Sequence, residues 1–374
     1  MKKVTIFTQN MKLGGEQKVS DTLAKNLSNF YQTEIVTISK SKSYFEMNVN
    51  RITPKTYFPN IFFHIDLRCR NIFFKLLGKE LNSTLIKLPI IFFLSKYIKK
   101  NNIDVLILCS NMILYARELR KIHPDVKIIS WFHNNASVYF EDEKYYLNSK
   151  KSFLNGLKNS DDVIVLTSED VKYLEKKDIP SKCIYNPLTI DNKNRISKLK
   201  NKKIAFVARY ELIQKGYDRL IELAGFLPNE WSIHVAGTGS SEQIEQLNYM
   251  LIEKGVKNKI ILEGALNNQE LVKFYESCSV LIVLSRTEGF GLVIPEAMSF
   301  GLPIVSYSQL GSREILMQKF GILVDQKYPI SYFYKQLENI LTKIEMRKYY
   351  QKKSLERVKD FYSSSIVKEW RKIL

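Results

Sequence analysis

The sequence has few of the features that mark disulfide-bonded, membrane-spanning or secreted proteins. Its 374 residues include four cysteines, which lie far apart without a C-x-x-C pair, so we expect free thiols in a reducing compartment. The longest apolar stretch, residues 88–94, is far shorter than the roughly 20 residues of a membrane-spanning helix. The first ten residues lack the apolar core of a secretion signal. These absences predict a cytoplasmic protein.

Metal-binding signatures are also missing. No D-x-D motif occurs, and the four histidines are scattered along the chain. Because metal sites need several clustered carboxylate, imidazole or thiolate ligands, we predict no metal site and no bound cofactor.

Positive charge dominates the sequence. Lys and Arg number 57 against 38 Asp and Glu, a formal net charge of +19, while 45% hydrophobic residues indicate a folded chain. The excess predicts an anionic partner, which could be nucleic acid, an acidic membrane surface or a phosphorylated ligand. Since no nucleic-acid-binding motif accompanies the charge, nucleic acid is not among the predicted partners, although a basic nucleic-acid-binding protein stays an alternative.

Apolar runs alternate with amphipathic helical patterns along the whole chain. This alternation predicts doubly wound parallel sheets, since continuous apolar runs are typical of strands buried on both faces. A polar, basic stretch at residues 191–203 separates two similar halves, so we predict two Rossmann-like domains facing a cleft. The predicted strands are residues 4–8, 34–38, 103–109, 126–132, 162–167 and 182–185 in the first half, and residues 204–208, 231–236, 259–263, 280–284, 303–306 and 321–325 in the second.

The most informative segment is residues 287–297, T-E-G-F-G-L-V-I-P-E-A. It follows an apolar run at residues 279–284 and precedes Gly301, which suits the position just past a helix end; the pattern predicts strand, glycine turn and a helix of about three turns. Such a turn directs backbone N–H groups at one spot, which suits a phosphate. Glu288 and Glu296 would flank that phosphate, where carboxylates accept hydrogen bonds from sugar hydroxyls. A phosphate and a polyol in one pocket indicate a nucleotide sugar.

The longer pattern E-G-F-G-L-V-I-P-E-A-M-S-F-G-L-P-I-V resembles the retaining glycosyltransferases of family 4. The resemblance implies the GT-B fold, an α/β architecture of two Rossmann-like doubly wound domains facing a central cleft. By this likeness, residues 1–188 form an acceptor-binding domain, residues 189–355 a nucleotide-sugar-binding domain, and residues 356–374 a C-terminal helix that crosses back to the first domain. The resemblance also implies retention of the anomeric configuration, by a front-face route or through a covalent intermediate.

Four residues are candidates for catalysis. Arg209 and Lys215, in A-R-Y-E-L-I-Q-K-G, directly follow a predicted strand, and α/β sheets bind ligands at the carboxyl ends of strands. Two cations there could neutralise a diphosphate leaving group as its charge develops. By resemblance, Glu288 binds sugar hydroxyls near the reacting carbon, and His133, in S-W-F-H-N-N, contacts the donor sugar. A histidine at a strand end is otherwise most often a hydrogen-bonding group.

The remaining candidates would bind the donor. Glu296 would hold the ribose hydroxyls, and Gly14 and Gly15 resemble the family's G-G-x-E/Q loop, which approaches the donor's phosphates and sugar across the cleft. Gly237 follows another predicted strand and fits a plain turn equally well. Gly264, Ala265 and Leu266 lie after the next predicted strand, where related enzymes hold the base. Phe290, Gly291 and Leu292 lie in the glycine turn.

Positive charge is concentrated in residues 40–100, which hold twelve Lys and Arg against three Asp and Glu. Aromatic residues interleaved with cations suit a surface lying on an anionic bilayer; a solvated basic face over ordinary core aromatics is the alternative. The cations chosen to test the membrane hypothesis are Arg68, Arg70, Lys75 and Lys79, and the aromatics are Tyr57, Phe58, Phe62, Phe63, Phe73, Phe74, Phe92, Phe93 and Tyr97.

The combined prediction is a metal-independent retaining glycosyltransferase on the inner face of the cell membrane. It would move a hexose-type sugar from a nucleoside diphosphate donor, UDP in the first instance, to a saccharide acceptor on a lipid carrier. Because the Lys-, Asn- and Ile-rich usage indicates an AT-rich bacterium, the products would be capsule, lipopolysaccharide or other surface glycans. The alternative is a non-catalytic GT-B subunit that steadies a partner enzyme.

Overall fold

The computed structural model describes residues 1–12, 14–39, 47, 49–53, 58–80, 84–141 and 149–374. They divide into two compact units: Met1–Pro187 together with Ser363–Leu374, and Leu188–Tyr362. Each unit is a parallel sheet with helices packed on it, as two Rossmann-like domains require.

The first unit contains, within its described residues, a seven-stranded parallel sheet in the order β3-β2-β1-β4-β5-β6-β7. Its strands are β1 (Lys3–Thr8), β2 (Gln32–Thr37), β3 (Arg51–Ile52), β4 (Val105–Cys109), β5 (Lys127–Trp131), β6 (Asp162–Val165) and β7 (Lys182–Cys183). Its helices are α1 (Gly15–Leu27), α2 (Phe58–Leu77), α3 (Thr84–Asn101), α4 (Ala116–Ile122), α5 (Ala136–Glu141), α6 (Lys150–Lys158) and α7 (Ser168–Glu175), with a 3₁₀ helix at Ser110–Tyr115.

Apolar strand residues form the core of this unit. Ile6 of β1 lies in register between Ile35 of β2 and Ile107 of β4, and all three side chains are fully buried. All six predicted strands of this half are confirmed. Strand β3 was not predicted, because Ile52 stands alone between polar residues and Pro54 rather than in an apolar run.

The second unit contains a six-stranded parallel sheet in the order β10-β9-β8-β11-β12-β13. Its strands are β8 (Lys203–Val207), β9 (Ser232–Ala236), β10 (Ile260–Gly264), β11 (Val280–Val283), β12 (Ile304–Tyr307) and β13 (Ile322–Val324), all six of them predicted. Its helices are α8 (Tyr217–Ala224), α9 (Ser241–Glu253), α10 (Asn268–Ser277), α11 (Val293–Ser299), α12 (Leu310–Leu316), α13 (Ile330–Thr342) and α14 (Ile344–Arg357), followed by a 3₁₀ helix at Val358–Phe361.

Both sheets follow the strand order of doubly wound nucleotide-binding folds. The order reverses between β1 and β4 in the first unit and between β8 and β11 in the second. Ligands of such sheets bind outside the carboxyl ends of the strands at this reversal. The predicted fold of each half is therefore confirmed, and the topology shows where its site should lie.

The polar stretch at residues 191–203, predicted as a linker, is irregular up to the start of β8 at Lys203 and packs onto the second unit. Ser197 donates from its hydroxyl to Cys278 O, and its amide donates to Phe300 O. Leu199 is also buried. The surrounding lysines and asparagines concealed these two anchoring residues in the sequence.

The last helix, α15 (Ser363–Arg371), belongs to the first unit. Trp370 is fully buried and meets Trp131 edge to face, with ring centroids 5.1 Å apart. Lys2 Nζ donates a 2.7 Å hydrogen bond to Leu374 O, so the two ends of the chain meet. The sequence-based division began the returning segment at residue 356, whereas residues 356–362 lie in the second unit.

Among the described residues, none of the helices is both long enough and apolar enough to cross a bilayer. The four cysteines are free, and Cys109 and Cys278 are buried.

Candidate active site

In the second unit, the candidate site lies where β8 and β11 end. Arg209 and Lys215 follow β8, and Glu288 follows β11. The reversal of strand order brings these loops to one edge of the sheet, although Lys215 and Glu288 are 73 residues apart in sequence.

Lys215 and Glu288 form an ion pair at this edge. Lys215 Nζ lies 2.7 Å from Glu288 Oε1, and Ser285 Oγ donates a 2.8 Å hydrogen bond to the same oxygen. The two charged side chains are 13% and 17% exposed. The carboxylate is thus oriented by a cation and a hydroxyl in a mostly buried position, where charge interactions are stronger than in bulk water. The sequence did not indicate Ser285, because a serine after a strand is common in any loop.

A glycine allows the loop carrying Lys215 to pass close to β11. Gly216 has a φ of +78°, and a Cβ there would lie 2.3 Å from Leu284 O. Both the left-handed backbone and the close approach exclude a side chain. Lys215 is therefore held against the strand from which Glu288 extends.

Arg286 holds the same loop from the β11 side. Its amide donates to Gln214 O at 2.9 Å, and its guanidinium donates to both carboxylate oxygens of Asp218 at 2.9 and 2.6 Å. Burial opposes ionisation of Asp218, but the hydrogen bonds and charge of Arg286 outweigh it, so the pKa of Asp218 is lowered. Arg286 therefore links the segment after β11 to the residues on either side of Lys215. It was not among the sequence candidates.

Arg209 forms an ion pair with Glu211, a different carboxylate from the partner of Lys215. Its Nη2 is 2.9 Å from Glu211 Oε1, and its side chain is 54% exposed. Its present partner is thus a carboxylate two residues along the same loop. A guanidinium has five N–H donors, so Arg209 could bind a diphosphate while keeping Glu211 or after leaving it, and its exposed side chain is free to turn.

Glu296 is buried, with 4% of its surface exposed. Thr189 Oγ1 donates to one carboxylate oxygen at 2.5 Å, and the Tyr275 hydroxyl donates to the other at 3.2 Å. Burial and the charge of Glu296 raise the pKa of Tyr275, which keeps that hydroxyl a donor. Because Thr189 and Tyr275 already donate to this carboxylate, a ribose would share its oxygens with them or displace one of them, and the ribose contact stays a prediction.

Helix α11, between Glu288 and the end of the motif, is shorter than predicted. It has seven residues, about two turns rather than three. Gly291, with a φ of +85°, keeps the preceding segment out of the helix. The predicted end is confirmed: Gly301 has a φ of +69°, and the amides of Gly301 and Leu302 donate back to Met298 O and Ala297 O.

The other donor-binding candidates of this unit lie around the same edge. Gly237 approaches the β8 loop so closely that a Cβ would be 1.9 Å from Ala208 O, and its amide donates to Gly264 O. This close approach alone accounts for a glycine at 237. Gly264 has a φ of +74° and open space where a Cβ would be, while Ala265 is exposed. Phe290 is buried against Phe361, and a Cβ on Gly311 would collide with its carbonyl oxygen.

Glu16, just after Gly14 and Gly15, links the end of β1 to the segment that follows β4, where the strand order of the first unit reverses. Its carboxylate accepts hydrogen bonds from Thr8 Oγ1 at the end of β1, at 2.5 Å, and from Ser110 Oγ after β4, at 2.7 Å. Glu16 was not among the sequence candidates. Its two bonds fix the start of α1, where Gly14 precedes the helix and Gly15 begins it.

His133 follows β5 and stacks obliquely on Trp131, with ring centroids 4.2 Å apart. Its Nε2 is buried and has no hydrogen-bond partner among the described residues. Burial lowers the pKa of His133 to about 4, against the opposing charge of Glu16, so the ring is neutral at pH 7. A neutral imidazole with an unused nitrogen is suited to bind a hydroxyl. The roles of Gly14, Gly15 and His133 toward the donor stay predictions.

Comparison with known proteins finds glycosyltransferases similar to this chain. Residues 189–357 match the family model described as glycosyl transferases group 1. The chain is 25% identical, over the full length of both chains, to an uncharacterized glycosyltransferase of Haemophilus influenzae. It is also 25% identical to the lipopolysaccharide 1,6-galactosyltransferase of Salmonella typhimurium, across 57% of this chain and 58% of that protein.

Comparison with solved structures supports the fold. The crystal structure of Anabaena HepE in complex with UDP and glucose superposes with a TM-score of 0.76, covering 100% of this chain and 99% of that one at 15% identity. The predicted GT-B fold is confirmed. The family match and the fold together support a GT-B glycosyltransferase. Among the described residues, His, Cys, Asp and Glu side chains form no group of three that could hold a metal ion.

Proposed function

We propose that this protein is a retaining glycosyltransferase of family 4, which transfers a hexose from a UDP-linked donor to a saccharide acceptor on a lipid carrier. The observation that carries the proposal is the Lys215–Glu288 pair, oriented by Ser285 at the reversal of strand order in the matched domain. The cation can donate hydrogen bonds to phosphate oxygens, and the oriented carboxylate can accept them from sugar hydroxyls.

In this proposal the donor's diphosphate is neutralised by Lys215 and Arg209. As the bond between the anomeric carbon and the diphosphate breaks, negative charge grows on the leaving phosphate, and fixed cations stabilise it. Glu296 accepts hydrogen bonds from the ribose, and the segment from Phe290 to Leu292 lies against the sugar or the phosphates. These two cations supply the charge neutralisation, so we propose that transfer needs no metal ion.

A UDP donor is favoured by the HepE complex, which holds UDP and glucose on the same fold. A saccharide acceptor is favoured by the Salmonella relative, named as a lipopolysaccharide galactosyltransferase. Lipopolysaccharide, capsule and related glycans are assembled on lipid carriers, and the net charge of +19 suits an anionic membrane surface. We therefore propose a peripheral enzyme on the cytoplasmic face of the cell membrane.

The test is thermal stabilisation by a panel of nucleotide sugars, with UDP-glucose and UDP-galactose compared against ADP-glucose and GDP-mannose. A ligand at 100 times its Kd stabilises by about 2.7 kcal/mol. For a domain of this size that raises Tm by about 5–10 °C. Release of UDP in the presence of saccharide acceptors, with and without EDTA, then measures turnover.

We expect stabilisation by a UDP-sugar and equal UDP release in EDTA. Failure of every nucleotide sugar to stabilise the protein would contradict the proposal. Strict dependence of turnover on a divalent ion would contradict its metal-free part. Stabilisation without turnover on any acceptor would favour the non-catalytic partner subunit.

A further inference from the structure

Helix α2 exposes a stripe of large apolar side chains. Ile61, Ile65, Ile72 and Leu76 are 51%, 41%, 58% and 76% exposed. At about 100° per residue they fall within a sector of roughly 60° on one side of the helix. The opposite side packs into the first unit, where Phe63 is fully buried. Four such side chains in one line form a patch of the kind that marks an interaction surface.

Exposed cations border this stripe on one side. Arg68 and Lys75 lie next to it on the helix surface, and both are exposed. Asp66, the one acidic residue in the helix sequence, is fully buried and paired with Arg70 at 2.7 Å. The outward charge of α2 is therefore entirely positive.

Helix α3 repeats this chemistry. Leu88 and Phe92 are 47% and 69% exposed, while Lys96 and Lys99 are exposed on the same side of the helix. The sequence of α3 contains no acidic residue. Two neighbouring helices of one unit thus combine outward apolar side chains with positive charge.

The structure corrects the set of residues expected at this surface. Arg70, Phe63 and Tyr97 are buried and cannot contact a bilayer. Tyr57 and the start of the basic stretch at residue 40 lie outside the described residues. The exposed aliphatic residues of α2 join Phe92, an exposed member of the predicted aromatics, as the apolar component. Arg68 and Lys75 are the α2 cations beside them.

We infer that α2 lies in the plane of an anionic bilayer, with Ile61, Ile65, Ile72 and Leu76 entering the interface and Arg68 and Lys75 contacting lipid phosphates. Apolar residues flanked by cations are the pattern of interfacial helices. A second copy of the chain fits less well, because a symmetric pairing of this face would set cations against cations. The inference rests on the proposed function, since it names the surface by which the enzyme meets a lipid-borne acceptor.

The test is co-sedimentation with vesicles, using three double variants. Arg68→Gln with Lys75→Gln removes charge from α2, and Ile72→Ser with Leu76→Ser removes apolar surface. The matched control combines Ile252→Ser on α9 with Lys254→Gln just after it, one change of each kind, beside the exposed acids Glu242, Glu245 and Glu253. All six positions are exposed, so the fold should tolerate them.

We expect the unaltered protein to sediment with vesicles of equal phosphatidylglycerol and phosphatidylcholine, and much less with phosphatidylcholine alone or at high salt. Each cation near a charged membrane contributes about 1 kcal/mol, so the α2 charge variant should partition roughly 25-fold less. The apolar variant should lose roughly tenfold or more. The α9 control should sediment like the unaltered protein.

Stabilisation by a UDP-sugar is measured on every variant without lipid, so that loss of the donor site and loss of docking are told apart. Equal sedimentation with neutral and anionic vesicles would overturn the inference, as would equal loss in the α9 control. A stable dimer in solution that dissociates in the Ile72→Ser, Leu76→Ser variant, without vesicle binding by the unaltered protein, would assign the face to a second copy instead.

Discussion

Replacing Lys215 with methionine should remove most of the turnover and leave the fold intact. Two unit charges about 4 Å apart at an effective dielectric constant near 20 interact by about 4 kcal/mol. Loss of one fixed donor that stabilises developing charge lowers turnover by about 100- to 1,000-fold. Because leaving-group charge grows in the transition state, kcat should fall by this factor and KM should change much less. The assay is UDP release at varied donor concentration.

The same substitution leaves Glu288 without its cation, so a folding defect has to be separated from a catalytic one. Breaking a buried ion pair costs roughly 3–5 kcal/mol, and the partial exposure of this pair reduces that cost. The double variant Lys215→Met, Glu288→Gln removes the uncompensated charge as well. It should regain most of the urea stability lost in Lys215→Met, while turnover stays low. If Lys215→Met kept the kcat of the unaltered protein, the diphosphate role of Lys215 would be wrong.

Three further predictions concern neighbouring residues. Glu296→Gln should weaken UDP binding in calorimetry by roughly 10- to 150-fold, since a hydrogen bond to a charged group contributes about 1.5–3 kcal/mol; unchanged affinity would remove the ribose assignment. Arg286→Ala should lower kcat with little change in KM, because it loosens the loop that carries Lys215, and Arg286→Lys should rescue it only partly; a rise in KM alone would contradict a positioning role. The pKa of His133 is 6.5 in the unfolded chain and about 4 in the folded protein. As the pH falls, the unfolded chain therefore takes up this proton before the folded protein does. The free energy of unfolding should therefore decline as pH falls from 6.5 to 4 and be unaffected by this group above pH 6.5, and His133→Asn should flatten that decline in urea titrations.

The fold was predictable because buried parallel strands carry unbroken apolar runs. Ile6 and Ile107 belong to such runs, and each lies in a strand that was predicted. The glycine turn was predictable for a related reason: Gly301 has a left-handed backbone that other residues rarely adopt. The predicted length of α11 was wrong, since Gly291 indicated a turn but not the residue at which the helix begins.

Of the candidate site, the sequence indicated Lys215, Glu288 and Glu296, but neither Arg286 nor the residues that hold these side chains. Glu288 stood out by its spacing from Glu296, whereas Ser285 and Thr189, which bind those two carboxylates, have no pattern of their own. Which charged side chains are exposed was harder still to predict. Arg70 looked like a surface cation, but an aspartate one helical turn away allows it to be buried. Asp66 and Ser285 lie within four residues of their partners and Thr189 lies 107 residues from Glu296, but a single sequence does not show which of these contacts form.

The return of α15 to the first unit means that this unit is discontinuous in the chain. During synthesis, residues 1–187 leave the ribosome first, but Trp370, which packs against Trp131, emerges only after the entire second unit. The first unit thus completes its core last, while the second, Leu188–Tyr362, is an uninterrupted segment that can fold as soon as it is made. A truncation before Ser363, or a stop codon there, would consequently damage the half of the protein farthest from it in sequence.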